Sequence, residues 1–382
     1  MIRLIHTADV HLDMCFAGDG ISSGFGNRRR QHLRDALERI VQRAGAWPAD
    51  ALLIAGDLFD LDRVTRDTTA FLKQQFASIP EVPVVIAPGN HDPYVGHSPY
   101  AMENWPSNVT IFKGPVWERL LLKDGALAVH GFGFDGPDIS ANPFGALEIE
   151  QDDAVHVAVA HGSERSHQPA GKDAYAAFHA QDAAHEALAY LALGHFHAVT
   201  PIEGLYSTTM YYSGPPEGHD FKETGVQHYL EIEIDESGAR VTPVESSTAV
   251  YEQHRIDCTG MNSSQDLIHA IRAISTDHGC ARIARITAEG HCPSSLRNQF
   301  QAVHDAAQGA FEHLVLVDKT APAEDYEDLA LEETSLGDFV RRINAELNDC
   351  AEDGRQRMLL RARELGVAAY RDVELSVQGM EG

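Results

Sequence analysis

The sequence predicts an α/β fold in which two packed sheets carry helices outside them, layered α/β/β/α, with a small α+β domain and C-terminal helices following. Three observations lead there. The N-terminal part alternates short apolar runs with helical periodicity, the middle part breaks into closely spaced strand-like runs, and a compact order of strand, helix, strand, helix, strand returns after residue 249. A chain of 382 residues, 43% hydrophobic and 23% charged, is long enough for two or three ordinary globular domains.

Residues 2–8 (IRLIHTA), 51–55 (ALLIA) and 82–87 (VPVVIA) are apolar runs closely followed by Asp, Gly or Asn, as buried strands ending in loops should be. Between them, Leu33, Leu37, Ile40, Val41 and Ala44 recur at helix spacing within residues 28–44, and the stretch from Phe71 to Phe76 belongs to a second helix. Such an order requires parallel strands joined by crossover helices, which places functional loops at the carboxyl ends of the strands. From 109 to 133 the runs shorten into hairpin-like strands, and further strands are expected at 155–160, 189–193, 206–213, 226–234 and 240–245.

Residues 249–319 read as strand Val250 to Asp257, helix Ser264 to Thr276, strand Ala281 to Ala288, helix Ser294 to Ala307 and strand Glu312 to Val317. The expected domains are therefore 1–248, 249–320 and 321–382. The last contains residues 324–338, with seven acids and no base, which reads as a solvated linker or an acidic flank. From its end onward, Leu336, Phe339, Val340, Ile343 and Leu347 form an amphipathic stripe that either docks on its own domain or offers anchors to a partner helix. Arg355, Arg357, Arg361 and Arg363 follow on another helix.

Composition narrows the function classes. The 30 basic and 57 acidic residues leave a formal charge of -27, which repels nucleic acid at long range, so DNA or RNA binding would need local basic patches or bound cations. Five scattered cysteines without a C-x-x-C pair argue against a structural zinc site and fit a reducing cytoplasm. No run approaches the ~18 apolar residues of a membrane helix, and Asp9 interrupts the first strand before it could act as a signal-peptide core. The expectation is a cytoplasmic protein with no membrane contact.

Five separated segments supply metal-type ligands, each at a predicted strand end. They are Asp9-Val10-His11, Gly56-Asp57, Gly89-Asn90-His91-Asp92, His161-Gly162 and Gly194-His195-Phe196-His197. In extended chain an i, i+2 spacing sends both side chains to one face, so Asp9 with His11, and His195 with His197, are each expected to chelate at one site. A pocket of Asp, Asn and His without thiolates suits Mn²⁺, Fe²⁺ or Zn²⁺. Two such ions ~3.5 to 4 Å apart could share one carboxylate, polarise a phosphoryl group and supply a hydroxide nucleophile.

The order D-x-H, GD, GNHD, H, GHxH resembles the calcineurin-like metallophosphoesterases. Within them the strings HTADVHLD, GDLFD, APGNHD, LGHFH and YSGPPEG resemble the SbcD/YhaO family of DNA repair exonucleases, bacterial relatives of the meiotic-recombination-eleven nuclease. The resemblance covers residues 1–250 and extends to the following small domain, which is similar to that family's capping domain. It implies the two-sheet metallophosphoesterase sandwich and a manganese-dependent DNA exonuclease, with endonuclease activity also open. It implies that Asp9, His11 and His197 hold a first metal, that Asn90, His161 and His195 hold a second, and that Asp57 bridges them. By the same resemblance His91 contacts the scissile phosphate or protonates the leaving oxygen, and Asp92 is placed to orient it. Many relatives carry a histidine after GDLF; here Asp60 stands there, which favours the YhaO branch.

Residues 27–45 carry six arginines against two acids, and Arg28, Arg29 and Arg30 are the candidate DNA-backbone contacts, the alternative being a solvated helix start. No G-x-x-x-x-G-K-[ST] occurs, so any ATP-driven step needs another protein. The resemblance implies such a partner, a coiled-coil ATPase of the SbcC or YhaN type that binds the C-terminal helices, and it implies a homodimer. Two other functions compete: a phosphatase or cyclic-nucleotide phosphodiesterase using the same metals on a small substrate, and a non-catalytic DNA-end-binding subunit.

Overall fold

The computed structural model describes residues 1–16, 23–139, 141–150, 152–168, 173–203, 206–274, 279–350 and 352–370. The chain divides into two compact units, one formed by Met1–Glu252 with Thr276–Ala284, the other by Gln253–Ser275 with Arg285–Gly382.

The first unit opens with β1 (Ile2–Thr7), α1 (Ser23–Ala46), β2 (Ala51–Ile54), α2 (Arg66–Ala77), β3 (Val84–Ile86), α3 (Pro99–Met102) and β4 (Val109–Ile111). Strands β1 to β4 pair in parallel and in order, as crossover helices require. Next come β5 (Glu118–Leu122), β6 (Leu127–Gly131), β7 (Val155–His161), α4 (Ala180–Ala183), β8 (Leu188–Gly194), β9 (Thr200–Ile202), β10 (Thr209–Tyr212), β11 (His228–Asp235) and β12 (Gly238–Glu245). Two six-stranded sheets result, ordered β12-β11-β1-β2-β3-β4 and β5-β6-β7-β8-β10-β9. The region expected as hairpins from 109 to 133 is thus divided, since β4 extends the first sheet and only β5 and β6 form an antiparallel pair.

Both faces of the central strands are buried, so alternate residues serve different cores. Leu52, Ile54, Val84 and Ile86 face α1 and α2, where Leu33, Leu37, Ile40, Val41 and Phe76 meet them. Leu4, Leu53 and Val85 point the other way, against Val129, Val157, Val159 and Tyr190 of the second sheet. That is the sandwich core. The outer face of the second sheet has a thinner cover: Ala158, Ala160, Leu191 and Leu193 pack beneath Phe132, Phe134, Phe144 and Phe178, carried by loops and by the single 3-10 turn Phe144–Ala146.

Strands β13 (Ala249–Asp257) and β14 (Ala281–Glu289) pair and contribute residues to both units, and α5 (Ser264–Ala273) lies between them in sequence. The predicted helix continued to Thr276, which lies outside the described residues. There follow β15 (His291–Cys292), α6 (Ser294–Arg297), α7 (Phe300–Ala307), β16 (His313–Asp318), β17 (Ala321–Pro322), α8 (Tyr326–Leu331), α9 (Ser335–Asp349) and α10 (Asp353–Tyr370). The single helix expected over Ser294 to Ala307 is broken into α6 and α7.

The acidic stretch 324–338 is not a linker. It contains α8 and the start of α9, with Asp325 and Thr334 capping the two helices and Leu329 buried against Val340 and Val367. Its charges lie outward while every third or fourth residue is apolar, a pattern that a count of acids conceals. Leu336, Phe339 and Val340 of the amphipathic stripe join that same cluster, so this half of the stripe is already occupied within its own unit. No described helix is long and apolar enough to cross a membrane.

Candidate metal centre

The polar loops all leave carboxyl ends of strands in the first unit. Asp9 and His11 follow β1, Asp57 follows β2, Asn90 to Asp92 follow β3, His161 ends β7, and His195 and His197 follow β8. The backbone there is sharply turned: Asp9, His11, Asp57 and His195 have φ of 54°, 49°, 53° and 116°, the left-handed region that side chains avoid without compensation. Gly56 and Gly89 make the close approach possible. A Cβ on Gly56 (φ 89°) would lie 2.4 Å from His161 Nδ1, and one on Gly89 would lie 2.3 Å from Asp57 Oδ1.

Two clusters of ligand-type atoms share the Asp9 carboxylate. Asp9, His11 and His197 offer ligand atoms within 4.8 Å of one another, as do Asp9, Asp57 and His161. Asp57 Oδ2 lies 3.6 Å from His11 Nε2 and 3.4 Å from His161 Nε2, so one buried oxygen serves both groups. His197 Nε2 is 3.8 Å from Asp9 Oδ1, whose carboxylate accepts the His195 amide. Asn90 Oδ1 is 3.1 Å from His161 Nε2, and the His161 and His195 rings are 5.2 Å apart.

The chelates expected from i, i+2 spacing do not form as reasoned. Asp9 and His11 do meet, but through left-handed backbone rather than extended chain. His195 and His197 part company: the first packs against His161, the second lies 5.4 Å from His11.

His91 stands at the rim with a half-exposed side chain, its Nδ1 3.5 Å from Asp60 Oδ1. That carboxylate also meets His11 Nδ1 at 2.9 Å. Asp92 does not orient His91. Its Oδ1 accepts the amides of Asp57 (3.0 Å) and Gly89 (2.6 Å), and its Oδ2 accepts the Leu58 amide (2.8 Å) and the Tyr100 hydroxyl (2.7 Å). Asp92 therefore ties the β2 and β3 loops together from beneath, and the carboxylate beside the His91 ring is that of Asp60.

Arg29 is not a phosphate contact. Its guanidinium is fully buried, donating to Glu217 Oε1 at 2.9 Å and to the Gly218 carbonyl at 2.6 Å. One turn of α1 presents Arg28 outward and Arg29 inward, which a run of three arginines cannot reveal. Arg28 is exposed, with its guanidinium 5.8 Å from the Phe25 ring, and Arg30 bonds Asn27.

Three residues that motif spacing did not single out as site residues complete the centre. Glu223 Oε1 accepts from His197 Nδ1 at 2.6 Å, and His219 packs its ring 5.3 Å from His197 and 5.2 Å from His11. Asp60, noted in the sequence only as a departure from its relatives, is the third. His219 and Glu223 follow the YSGPPEG string at an i, i+4 spacing, which was the available signal.

The electrostatics are those of a cation site. Burial works to raise the Asp57 carboxyl, but His161, His11 and His91 outweigh it and hold the pKa down at about 2. His91 is raised to about 9, chiefly by Asp60. Burial works against the charged form of His197, yet Glu223 and Asp9 prevail and raise it to about 9. Burial lowers His195 to about 3, and it raises Asp92 to about 6 with help from Asp57. His11 Nε2 is buried without a hydrogen-bond partner. An unsatisfied imidazole nitrogen beside two buried carboxylates is costly unless a cation completes it, so the residues present fit divalent metal.

The family of the sequence agrees with that chemistry. The chain is 26% identical over 264 residues to the uncharacterized metallophosphoesterase YhaO of Bacillus subtilis (strain 168), an alignment taking in 68% of this chain and 64% of that protein. The chain thus matches less than two thirds of that relative's length. Among solved structures it is similar to TT1561 of Thermus thermophilus, at 14% identity and TM-score 0.40 over 63% of this chain and 98% of that one. It is similar also to a dimetal phosphatase from Danio rerio, at 10% identity and TM-score 0.36 over 64% and 99%. The sequence model described as calcineurin-like phosphoesterase matches residues 2–199, more than half of the chain and every loop from Asp9 to His197. With its ligand-type side chains gathered around Asp57, this chain belongs to the calcineurin-like phosphoesterase family.

Proposed function

We propose that this chain hydrolyses phosphodiester bonds of DNA with a pair of divalent ions, manganese being the expected element, as a DNA repair nuclease. The observation that carries the reading is the gathering of two ligand groups around the buried carboxylates of Asp9 and Asp57. In this reading Asp9, His11 and His197 would hold one ion, Asn90, His161 and His195 would hold the other, and Asp57 would serve both. Such a pair, when bound, polarises a phosphoryl group and lowers the pKa of water at the site.

The chain's own side chains do the rest. His91, kept protonated by Asp60, is a hydrogen-bond donor toward the scissile phosphate and the acid for the leaving oxygen. With Nδ1 turned to Asp60, Nε2 is the nitrogen that meets substrate. Asp92 and the strained loops keep Asp57 and Asn90 in place. The likeness to a nuclease family in the strings HTADVHLD, GDLFD and YSGPPEG supports DNA as the substrate. A coiled-coil ATPase partner, a homodimer and a cytoplasmic setting belong to the same proposal.

One observation favours a second substrate class. With a formal charge of -27 and the Arg29 guanidinium sealed inside, the attraction for a polyanion is weak, whereas a small phosphoester needs no basic track. The deciding experiment sets the Mn²⁺-loaded full chain against labelled duplex DNA, single-stranded DNA, a chromogenic phosphodiester and a phosphomonoester. Mn²⁺-dependent DNA cleavage that disappears in Asp57→Asn supports the nuclease. Cleavage of small esters alone overturns it in favour of the second reading, and bound metal with no cleavage at all leaves a DNA-end-binding subunit.

A further inference from the structure

The two ligand groups differ in what stands behind their imidazoles. In the first group, each imidazole places a carboxylate on the nitrogen away from the shared centre: Asp60 Oδ1 is 2.9 Å from His11 Nδ1, and Glu223 Oε1 is 2.6 Å from His197 Nδ1. In the second group, His161 Nδ1 donates to the Ala55 carbonyl at 2.9 Å, and no hydrogen bond to the His195 ring is found among the described residues. Asp9 lies within reach of both groups, so the difference between them is in what stands behind the imidazoles.

Glu223 is itself held firmly. Its Oε2 accepts the His219 amide at 2.7 Å and lies 3.2 Å from His219 Nδ1, while the His219 ring packs against those of both His11 and His197. A carboxylate behind a ligating imidazole fixes its tautomer, orients the ring and raises its basicity, and loss of such a partner typically costs about 10–100-fold in metal affinity.

We infer that Asp60 and Glu223 are positioning residues for His11 and His197 that make the first group the tighter of two unequal metal sites. The inference rests on the metal-centre reading above. Retention of one ion when the other is stripped follows from it, so the first site stays loaded and the Asn90 side governs how much active enzyme forms at limiting metal.

The test is direct metal binding. Full-length protein stripped by chelator is titrated with Mn²⁺, and free Mn²⁺ is followed by electron paramagnetic resonance. Wild type is expected to show a tight and a weak class, one ion each. Glu223→Gln and Asp60→Asn should each weaken the tight class by about 10–100-fold and leave the weak class unchanged, whereas His161→Ala should remove only the weak class. The two carboxylates sit on different loops, so if one variant fails to fold, by circular dichroism of the metal-free protein, the other decides. Variants that bind like wild type, or that weaken both classes equally, overturn the inference. So does a third ion per chain that Glu223→Gln removes. Wild type that takes up no Mn²⁺ sinks the metal-centre reading itself.

Discussion

Replacing Arg29 with Ala tests whether the arginine run on α1 serves the interior or a phosphate backbone. The side chains of Arg29 and Glu217 are both fully buried, 2.9 Å apart, and the guanidinium also donates to the Gly218 carbonyl and lies 5.1 Å from the Tyr251 ring. Removing one member of such a pair leaves the other charge stranded, at about 3–5 kcal/mol. Glu217 keeps the amides of Thr248 and Ala249 and the Thr248 hydroxyl, at 2.6, 3.2 and 3.0 Å, so the expected cost sits at the lower end, about 3 kcal/mol. The three tryptophans, Trp47, Trp105 and Trp117, all lie in the first unit, so urea unfolding followed by tryptophan fluorescence reports on this unit alone. Arg28→Ala and Arg30→Ala should stay within about 0.5 kcal/mol of wild type. An Arg29→Ala protein as stable as wild type that instead loses salt-dependent DNA affinity would refute the argument.

His91→Ala should lower turnover of any cleaved phosphoester by about 10²–10⁴-fold while binding as many Mn²⁺ ions as wild type; a loss of bound metal would make His91 a ligand instead. His6 supplies an acid-sensitive element: it is buried between the Tyr190 hydroxyl and the Leu193 carbonyl, and burial, against that carbonyl, lowers its pKa to about 3. The unfolded chain takes up the proton below about pH 6.5 and the folded chain does not, so stability falls as pH drops from about 6.5 toward 3 and is unaffected above. At pH 5 the loss is about 2 kcal/mol, and a His6→Asn variant should show correspondingly less difference in urea midpoint between pH 7 and pH 5. Gly56→Ala meets both a positive φ and the His161 ring, and should destabilise the first unit by more than about 1 kcal/mol, as read by the same fluorescence melt; a neutral result would show that the loop relaxes without strain.

The strand-end segments were legible because metal ligands at the carboxyl ends of parallel strands must come from short loops, and each loop left a local string of Asp, Asn, His and Gly. Strands with both faces buried were legible for a similar reason, as unbroken apolar runs such as ALLI and VVI. The misread features share a different cause. Asp92 and Asp60 lie within reach of His91 in any sketch of the loops, but which carboxylate faces the ring depends on the Asp57, Leu58 and Gly89 amides that capture Asp92. Arg28 and Arg29 are neighbours in sequence with opposite fates, because the helix turns roughly 100° between them.

What the sequence alone determined is the set of ligand types, their order along the chain and the alternation of elements that brings loop ends together, since composition and periodicity are local properties. The tertiary structure decided the pairings: Asp57 between two imidazoles, Glu223 behind His197, Asp60 behind His11, Arg29 against Glu217. Such contacts join residues far apart in the chain, and their short distances come from left-handed turns and buried partners that only the packed sheets can enforce.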